Sequence, residues 1–158
     1  MFLNFITMNT PNYTIFDFEK YLNQKQNEFI EYRNNGIEFV NKKLIELGRT
    51  LGEFPDIWKL KSNRVSGCTS NVYIHSNMTH GKLFLSGHSD SEIVKGQLAL
   101  LINGLNRLTP DEIVNQAETY LNNFVKNTDV RFSMTISRAN SLGTLYQFIK
   151  NKAEEFLN

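Results

Sequence analysis

The chain has 158 residues, of which 41% are hydrophobic and 21% are charged, and these fractions are those of an ordinary globular protein rather than a disordered or collagen-like chain. Seventeen basic residues nearly balance sixteen acidic ones, so the formal net charge of +1 argues against electrostatic binding of nucleic acid. The single cysteine excludes an internal disulfide bond, and no apolar run is long enough for a membrane span.

Two helices are predicted in the first third of the chain. The first runs from about residue 14 to 33 along a loose apolar face, and the sequence Asn34-Asn35-Gly36 breaks it. The second runs from Ile37 to Leu47, and Gly48 is well placed to end it. Residues 1–12 lack the basic residues of a secretory signal. We therefore expect them to be a flexible leader rather than a signal peptide.

An antiparallel β-hairpin is predicted after a connector at residues 51–62, in which we expect Pro55 and Trp58 to pack on the body of the protein. The first strand runs from Asn71 to about Ser76 and the second from Lys82 to about Ser86. The turn between them, at residues 77–81, is too short for a parallel crossover, so the two strands are antiparallel.

Four further helices are predicted after the hairpin. Ser89-Asp90-Ser91-Glu92 has capping-box spacing before the apolar run Ile93–Leu105, which we expect to be the central buried helix. Thr109-Pro110-Asp111-Glu112 is a second helix start, with Thr109 as the cap. The last two helices cover about 119–125 and 137–156, and the final one has an apolar face formed by Leu142, Leu145, Tyr146, Ile149 and Ala153. This order of elements predicts one α+β domain over residues 1–158, with the helices on one face of a small antiparallel sheet.

Cys68 is the residue with the clearest chemical potential. A free cysteine is most often a small buried hydrophobe without a chemical role. Here, however, its neighbours are Gly67, Thr69 and Ser70, which are small and not apolar. A loop formed by these residues gains little free energy from being buried. Gly67 permits a positive φ and leaves room for a second molecule to approach the backbone. The residues alone therefore leave the structural and the chemical interpretation of the thiol about equally supported.

Three common cysteine functions are not supported by the sequence. Cys68, His75, His80 and His88 do not have the spacing of zinc ligands, so we expect no metal site. A cysteine hydrolase needs a histidine base and a residue that orients it, and only His75 lies near enough along the chain. A dithiol redox mechanism within one chain is excluded, since no second cysteine exists to resolve it.

The sequence around Cys68 resembles the active loop of the SufE/CsdE family, whose members accept sulfur from cysteine desulfurases in iron–sulfur cluster assembly. The matching loop is NRVSGCTSNVYI at residues 63–74, and the block SDSEIVKGQLALL at residues 89–101 resembles the helix that follows it in the family. Residues 109–113 and 137–140 follow in the family's order, and the resemblance covers roughly residues 39–155.

This resemblance implies an α+β fold of the type shared with U-type iron–sulfur scaffold proteins. It also implies that Cys68 takes persulfide sulfur from a pyridoxal-phosphate cysteine desulfurase, stimulates that enzyme and passes the sulfur to an iron–sulfur scaffold complex. The protein is then a carrier and activator rather than a free-standing enzyme. The resemblance implies no cofactor of its own, because pyridoxal phosphate belongs to the desulfurase. We expect a monomer or weak homodimer in the cytoplasm, with an organelle stroma or matrix as the alternative compartment, and neither nucleic acid nor membrane as a partner.

By the same resemblance, Gly67, Arg64, Asp90 and Arg138 support the loop or contact the desulfurase. From the residues alone, Arg138 is a solvated arginine at a helix start and Asp90 is an acid favoured by the helix dipole. Four positions depart from the family's common residues: Thr69 replaces Gln, Tyr73 replaces Trp, Ile136 replaces Pro and Ser141 replaces Gly. The alternative function is a regulatory binding module of the same fold that accepts no sulfur.

Overall fold

The computed structural model describes residues 12–128 and 141–158, and in these residues the chain forms six α-helices and one β-hairpin. The elements in chain order are α1 (Ile15–Asn34), α2 (Ile37–Gly48), β1 (Val72–Thr79), β2 (Lys82–Ser89), α3 (Glu92–Leu105), α4 (Pro110–Asn115), α5 (Ala117–Thr128) and α6 (Ser141–Glu155). The leader expected at residues 1–12 lies outside the described residues, apart from Asn12.

The hairpin has longer strands than the sequence predicts. Each strand has eight residues, and Thr79 pairs with Lys82, so His80 and Gly81 alone form the turn. Both turn residues have a positive φ, 52° and 77°, which matches the right-handed twist of the two strands. The predicted turn at residues 77–81 was therefore too long, whereas the antiparallel pairing is confirmed.

One face of the hairpin packs on α3, which is the central buried helix that its apolar sequence predicts. The inward-facing side chains of the two strands are Val72, Ile74, Leu83 and Leu85, and all of them are buried. Ten of the fourteen residues of α3 are buried as well. The N-cap of α3 is Ser91, whose side chain accepts a hydrogen bond from the Val94 amide, rather than Ser89, the first residue of the predicted capping box. The predicted α+β class is confirmed, with this sheet face and the helices sharing one hydrophobic core.

Close backbone contact joins α2 to α3. A Cβ atom at Gly96 would overlap the Leu44 carbonyl group, and one at Gly48 would lie 2.9 Å from the Gly96 amide nitrogen. Gly48 is the last residue of α2, one residue later than the predicted end at Leu47, and it is buried against α3. The two glycines therefore set the distance between these helices.

The remaining helices agree with the sequence pattern where the structure describes them. α4 begins at a capping box formed by Thr109 and Glu112, with Pro110 at the first helical position. The predicted apolar face of α6 is buried throughout. Residues 137–140, which we predicted as the start of that helix, lie outside the described residues. None of the described helices is long and apolar enough to cross a membrane.

Candidate functional site

Cys68 lies in a loop that the hairpin holds at its open end. Before the loop, the Val65 amide donates a hydrogen bond of 2.9 Å to the Val72 carbonyl, and Arg64 forms an antiparallel bridge with Tyr73. The residues before the loop thus extend the sheet along the outer edge of β1. The loop leaves and returns to neighbouring positions on the same sheet, so the thiol is carried on a short segment fixed at both ends.

Gly67 gives the loop its shape. Its φ is +86°, a value that other residues adopt only with strain, and the sequence predicted this freedom. In the part of the chain that the structure describes, an added Cβ would meet the Thr144 side chain alone, at 3.9 Å, so the backbone conformation is the reason found for glycine here. The same contact places the loop beside the start of α6.

A chain of hydrogen bonds closes the base of the loop. The Arg64 guanidinium donates to the Asn71 side-chain oxygen at 2.9 Å. The Asn71 amide and side-chain nitrogen then donate to the two carboxylate oxygens of Asp90, at 3.0 and 3.1 Å. Two of the predicted supporting residues, Arg64 and Asp90, are therefore brought together beneath the loop through Asn71.

The Cys68 thiol is half-buried and packs against the edge of the hydrophobic core. Burial raises the pKa of the Cys68 thiol, because a thiolate loses hydration when it is removed from water. The resting protein thus carries less thiolate than an exposed cysteine would at the same pH. A reaction that needs the thiolate is therefore slower at this thiol than it would be at a fully exposed one.

The two histidines of the outer sheet face are engaged with aromatic rings. His75 stacks on Trp58 with ring centroids 4.1 Å apart, and His88 stacks on Phe54 at 5.9 Å. Burial lowers the pKa of both histidines, and nearby Lys59 adds to the effect at His88. Within residues 12–128 and 141–158, no three side chains of the metal-binding types come together.

Two features of the site differ from the sequence interpretation. The connector packs on the sheet through Phe54 and Trp58, whereas Pro55, which we expected to pack, is exposed. Asn71 was not selected as a site residue. The pairing of Val72 with Ser89 places Asn71 opposite Asp90. The exact register of the hairpin is therefore the signal that would have identified Asn71. Arg138, the remaining candidate, lies outside the described residues.

Comparisons with known proteins point to one family. The family model described as "SufE: Fe-S metabolism associated domain" matches residues 33–153. An uncharacterized SufE-like protein of Synechocystis is 38% identical over 115 residues, which are 73% of this chain and 70% of that protein. The cysteine desulfuration protein SufE of Plasmodium falciparum is 28% identical over 138 residues. That match covers 84% of this chain and 52% of the Plasmodium protein, so the chain spans about half of that relative's length.

A solved structure shares the fold. The solution structure of a hypothetical protein from Thermus thermophilus superimposes with a TM-score of 0.66 at 19% identity, covering 87% of this chain and 96% of that one. At this level of identity, the likeness concerns the arrangement of helices and strands alone.

Proposed function

The chain belongs to the SufE family, and from that premise we propose that Cys68 accepts sulfur from a pyridoxal-phosphate cysteine desulfurase and passes it to an iron–sulfur scaffold complex. The Cys68 thiolate attacks the terminal sulfur of a persulfide on the desulfurase cysteine. The sulfur–sulfur bond of that persulfide breaks, and the desulfurase cysteine leaves as a thiolate. Cys68 then holds the persulfide, and no external oxidant or reductant is consumed.

The observation that carries this proposal is the half-buried Cys68 on a loop fixed at both ends by the hairpin. Among the described residues, burial is the cause of the raised Cys68 pKa, and no histidine or carboxylate acts on the thiol as a base would. Such a thiol suits a reaction that waits for a partner, because a sheltered sulfur is protected from oxidation between transfers. A hydrolytic site would need the base and its orienting group in place beforehand.

The transfer itself is the test. After incubation with the desulfurase and cysteine, the intact mass of the protein should rise by about 32 Da per sulfur atom, and reduction should reverse the gain. Peptide mapping should place the gain on Cys68. If the desulfurase is stimulated while Cys68 never gains mass, the carrier function is wrong and the regulatory binding module takes its place.

We also propose that Arg64, Asn71 and Asp90 position the loop, with Gly67 supplying its bend. The hydrogen bonds among the three polar residues lie at the surface, where each contributes about 1 kcal/mol or less. They are therefore weak enough for a docking partner to break. Arg138 stays a candidate for the same task, or for contact with the desulfurase, on the resemblance alone.

Replacing Asp90 by alanine should expose Cys68 without unfolding the protein. The variant loses both hydrogen bonds from Asn71, so the loop opens more often and the thiol regains water. We expect alkylation by iodoacetamide to be several-fold faster at neutral pH, and its pH profile to move toward lower pH, because less burial means a lower thiol pKa. The rate is measured as loss of free thiol, and chemical denaturation checks the fold.

Two further variants show whether faster alkylation comes from the lost hydrogen bonds, from the lost charge or from any exposed substitution. Asp90→Asn removes the charge but keeps an oxygen that accepts from the Asn71 amide, so we expect a smaller effect. Asp111→Ala removes a similar exposed contact, 2.7 Å from the Asn115 side chain, and should leave Cys68 alkylation unchanged. Equal rates in Asp90→Ala and the wild type would mean that this hydrogen-bond chain does not hold the loop.

A further inference from the structure

A rigid segment precedes the cysteine loop on the outer side of the hairpin. We call residues 56–64 the strap. The Trp58 ring lies flat on His75, with 8° between the ring planes, and the buried Asn63 side chain donates to the Trp58 carbonyl at 2.8 Å. These contacts fix the strap on the sheet, although it contains only two single turns of 3-10 helix.

Because Trp58 turns inward, its apolar neighbours point outward. The Ile57 side chain is 76% exposed, the largest exposed fraction of any large hydrophobic residue in the described part of the chain. Leu60 is 54% exposed. Single exposed apolar residues are common and need no explanation. These two, however, are three residues apart on a fixed backbone, so their Cα atoms lie within about 11 Å of each other, near enough for one partner to cover both. We call the two side chains the patch.

Basic residues flank this patch along the chain. Lys59, Lys61 and Arg64 lie in the strap with a single acidic residue, Asp56. Asp56 forms an ion pair with Lys59 at 3.0 Å. Among the described residues no carboxylate pairs with Lys61. The strap thus combines an apolar centre with a net charge of +2, although the whole chain is close to neutral.

The patch is continuous with the site of sulfur transfer. Arg64, the last residue of the strap, bridges to Tyr73 and donates to Asn71 at the base of the cysteine loop. A protein that docks at the cysteine loop therefore lies next to the strap. Exposed apolar side chains on a backbone that is already held in place lose less conformational entropy on binding than those on a mobile loop, which favours a strong contact.

We propose that the strap is the docking surface for the cysteine desulfurase, and that the desulfurase receives Ile57 and Leu60 in an apolar hollow edged by carboxylates. This inference rests on the proposed function and adds to it the surface and the chemistry of recognition. The apolar pair adds affinity by burying its two side chains in the partner, while Lys61 and Arg64 orient the partner toward the cysteine loop.

The direct test is calorimetric titration of the source organism's desulfurase, without cysteine, into the wild type and a variant with Ile57→Ser and Leu60→Ser. Both side chains are largely exposed, so the fold should persist, and Cys68 should be alkylated at the wild-type rate. We expect the dissociation constant to rise about tenfold or more. The matched control is Ile37→Ser with Leu157→Ser, two residues that are 53% and 48% exposed away from the strap, and it should bind like the wild type.

The charge is tested by Lys61→Glu, with the exposed Lys20→Glu on α1 as control. Lys61→Glu should weaken binding and reduce its dependence on salt, because it removes a favourable charge contact with the partner. If the Ile57/Leu60 variant binds as tightly as the wild type, the strap is not the docking surface.

These experiments distinguish a failure of the strap proposal from a failure of the proposed carrier function. If the wild type binds and the strap variant does not, the strap proposal stands even when Cys68 never gains sulfur, and only the carrier function is lost. If Cys68 gains sulfur equally in the wild type and the strap variant at limiting protein concentration, the carrier function stands and the strap proposal is wrong.

Discussion

Replacing Cys68 by serine should abolish sulfur acceptance and leave docking to the desulfurase intact. Serine has nearly the size of cysteine, so the loop set by Gly67 should keep its shape. Its hydroxyl is a weak nucleophile without an adjacent base, and it forms no stable counterpart of a persulfide. We expect no gain in mass after incubation with desulfurase and cysteine, and a desulfurase rate equal to that of the enzyme alone.

Docking is measured on the same preparations. The dissociation constant of Cys68→Ser by calorimetry should lie within about twofold of the wild type, since the thiol is half-buried and adds little contact area. The variant should therefore compete with the wild type and inhibit its stimulation of the enzyme. Should Cys68→Ser stimulate the desulfurase as well as the wild type does, persulfide transfer through this residue is excluded.

Replacing Gly96 by alanine should destabilise the protein more than any of the surface substitutions above. The added methyl group would overlap the carbonyl group of Leu44 in α2, and a backbone group cannot move aside as a flexible side chain can. Helices α2 and α3 would have to separate along their contact, which also involves Gly48. Overpacking of this kind costs about 3 kcal/mol, the upper end of the usual range. Urea denaturation should show a lower midpoint with an unchanged slope.

Gly143→Ala is a control for which we expect the free energy of unfolding to rise instead of fall. Gly143 lies in α6, where, beyond its own stretch of helix backbone, no atom of residues 12–128 or 141–158 comes within 4 Å of an added Cβ, and its backbone is not in the left-handed region. Alanine there should raise the free energy of unfolding by about 0.5–1 kcal/mol, because it restricts the unfolded chain and favours the helix. If Gly96→Ala were as stable as the wild type, the close approach of α2 and α3 would not be needed for the fold.

Local signals in the sequence were sufficient to predict most of the fold. The Thr109 capping box, with Pro110 after it, satisfies backbone groups within one turn, and the structure shows this pairing. The burial of α3 follows from an apolar sequence around most of its circumference. Each of these features depends on residues close together in the chain, where spacing alone determines which groups meet.

Features that depend on residues far apart were not predicted. The close approach at Gly96 requires the path of α2, which no local pattern contains. The role of Asn71 depends on the exact register of the hairpin, and the longer predicted turn concealed it. The packing of Phe54, rather than Pro55, depends on which side of the connector meets the outer sheet face.

The stacking of Trp58 on His75 gives the molecule an optical probe of its own. The sequence contains one tryptophan, so the indole fluorescence of the free protein comes from a single place. That place is the centre of the strap, flanked by Ile57 and Lys59 and in contact with the outer face of β1. Emission wavelength and lifetime therefore follow the hydration of this surface, and they do so without any label attached to Cys68.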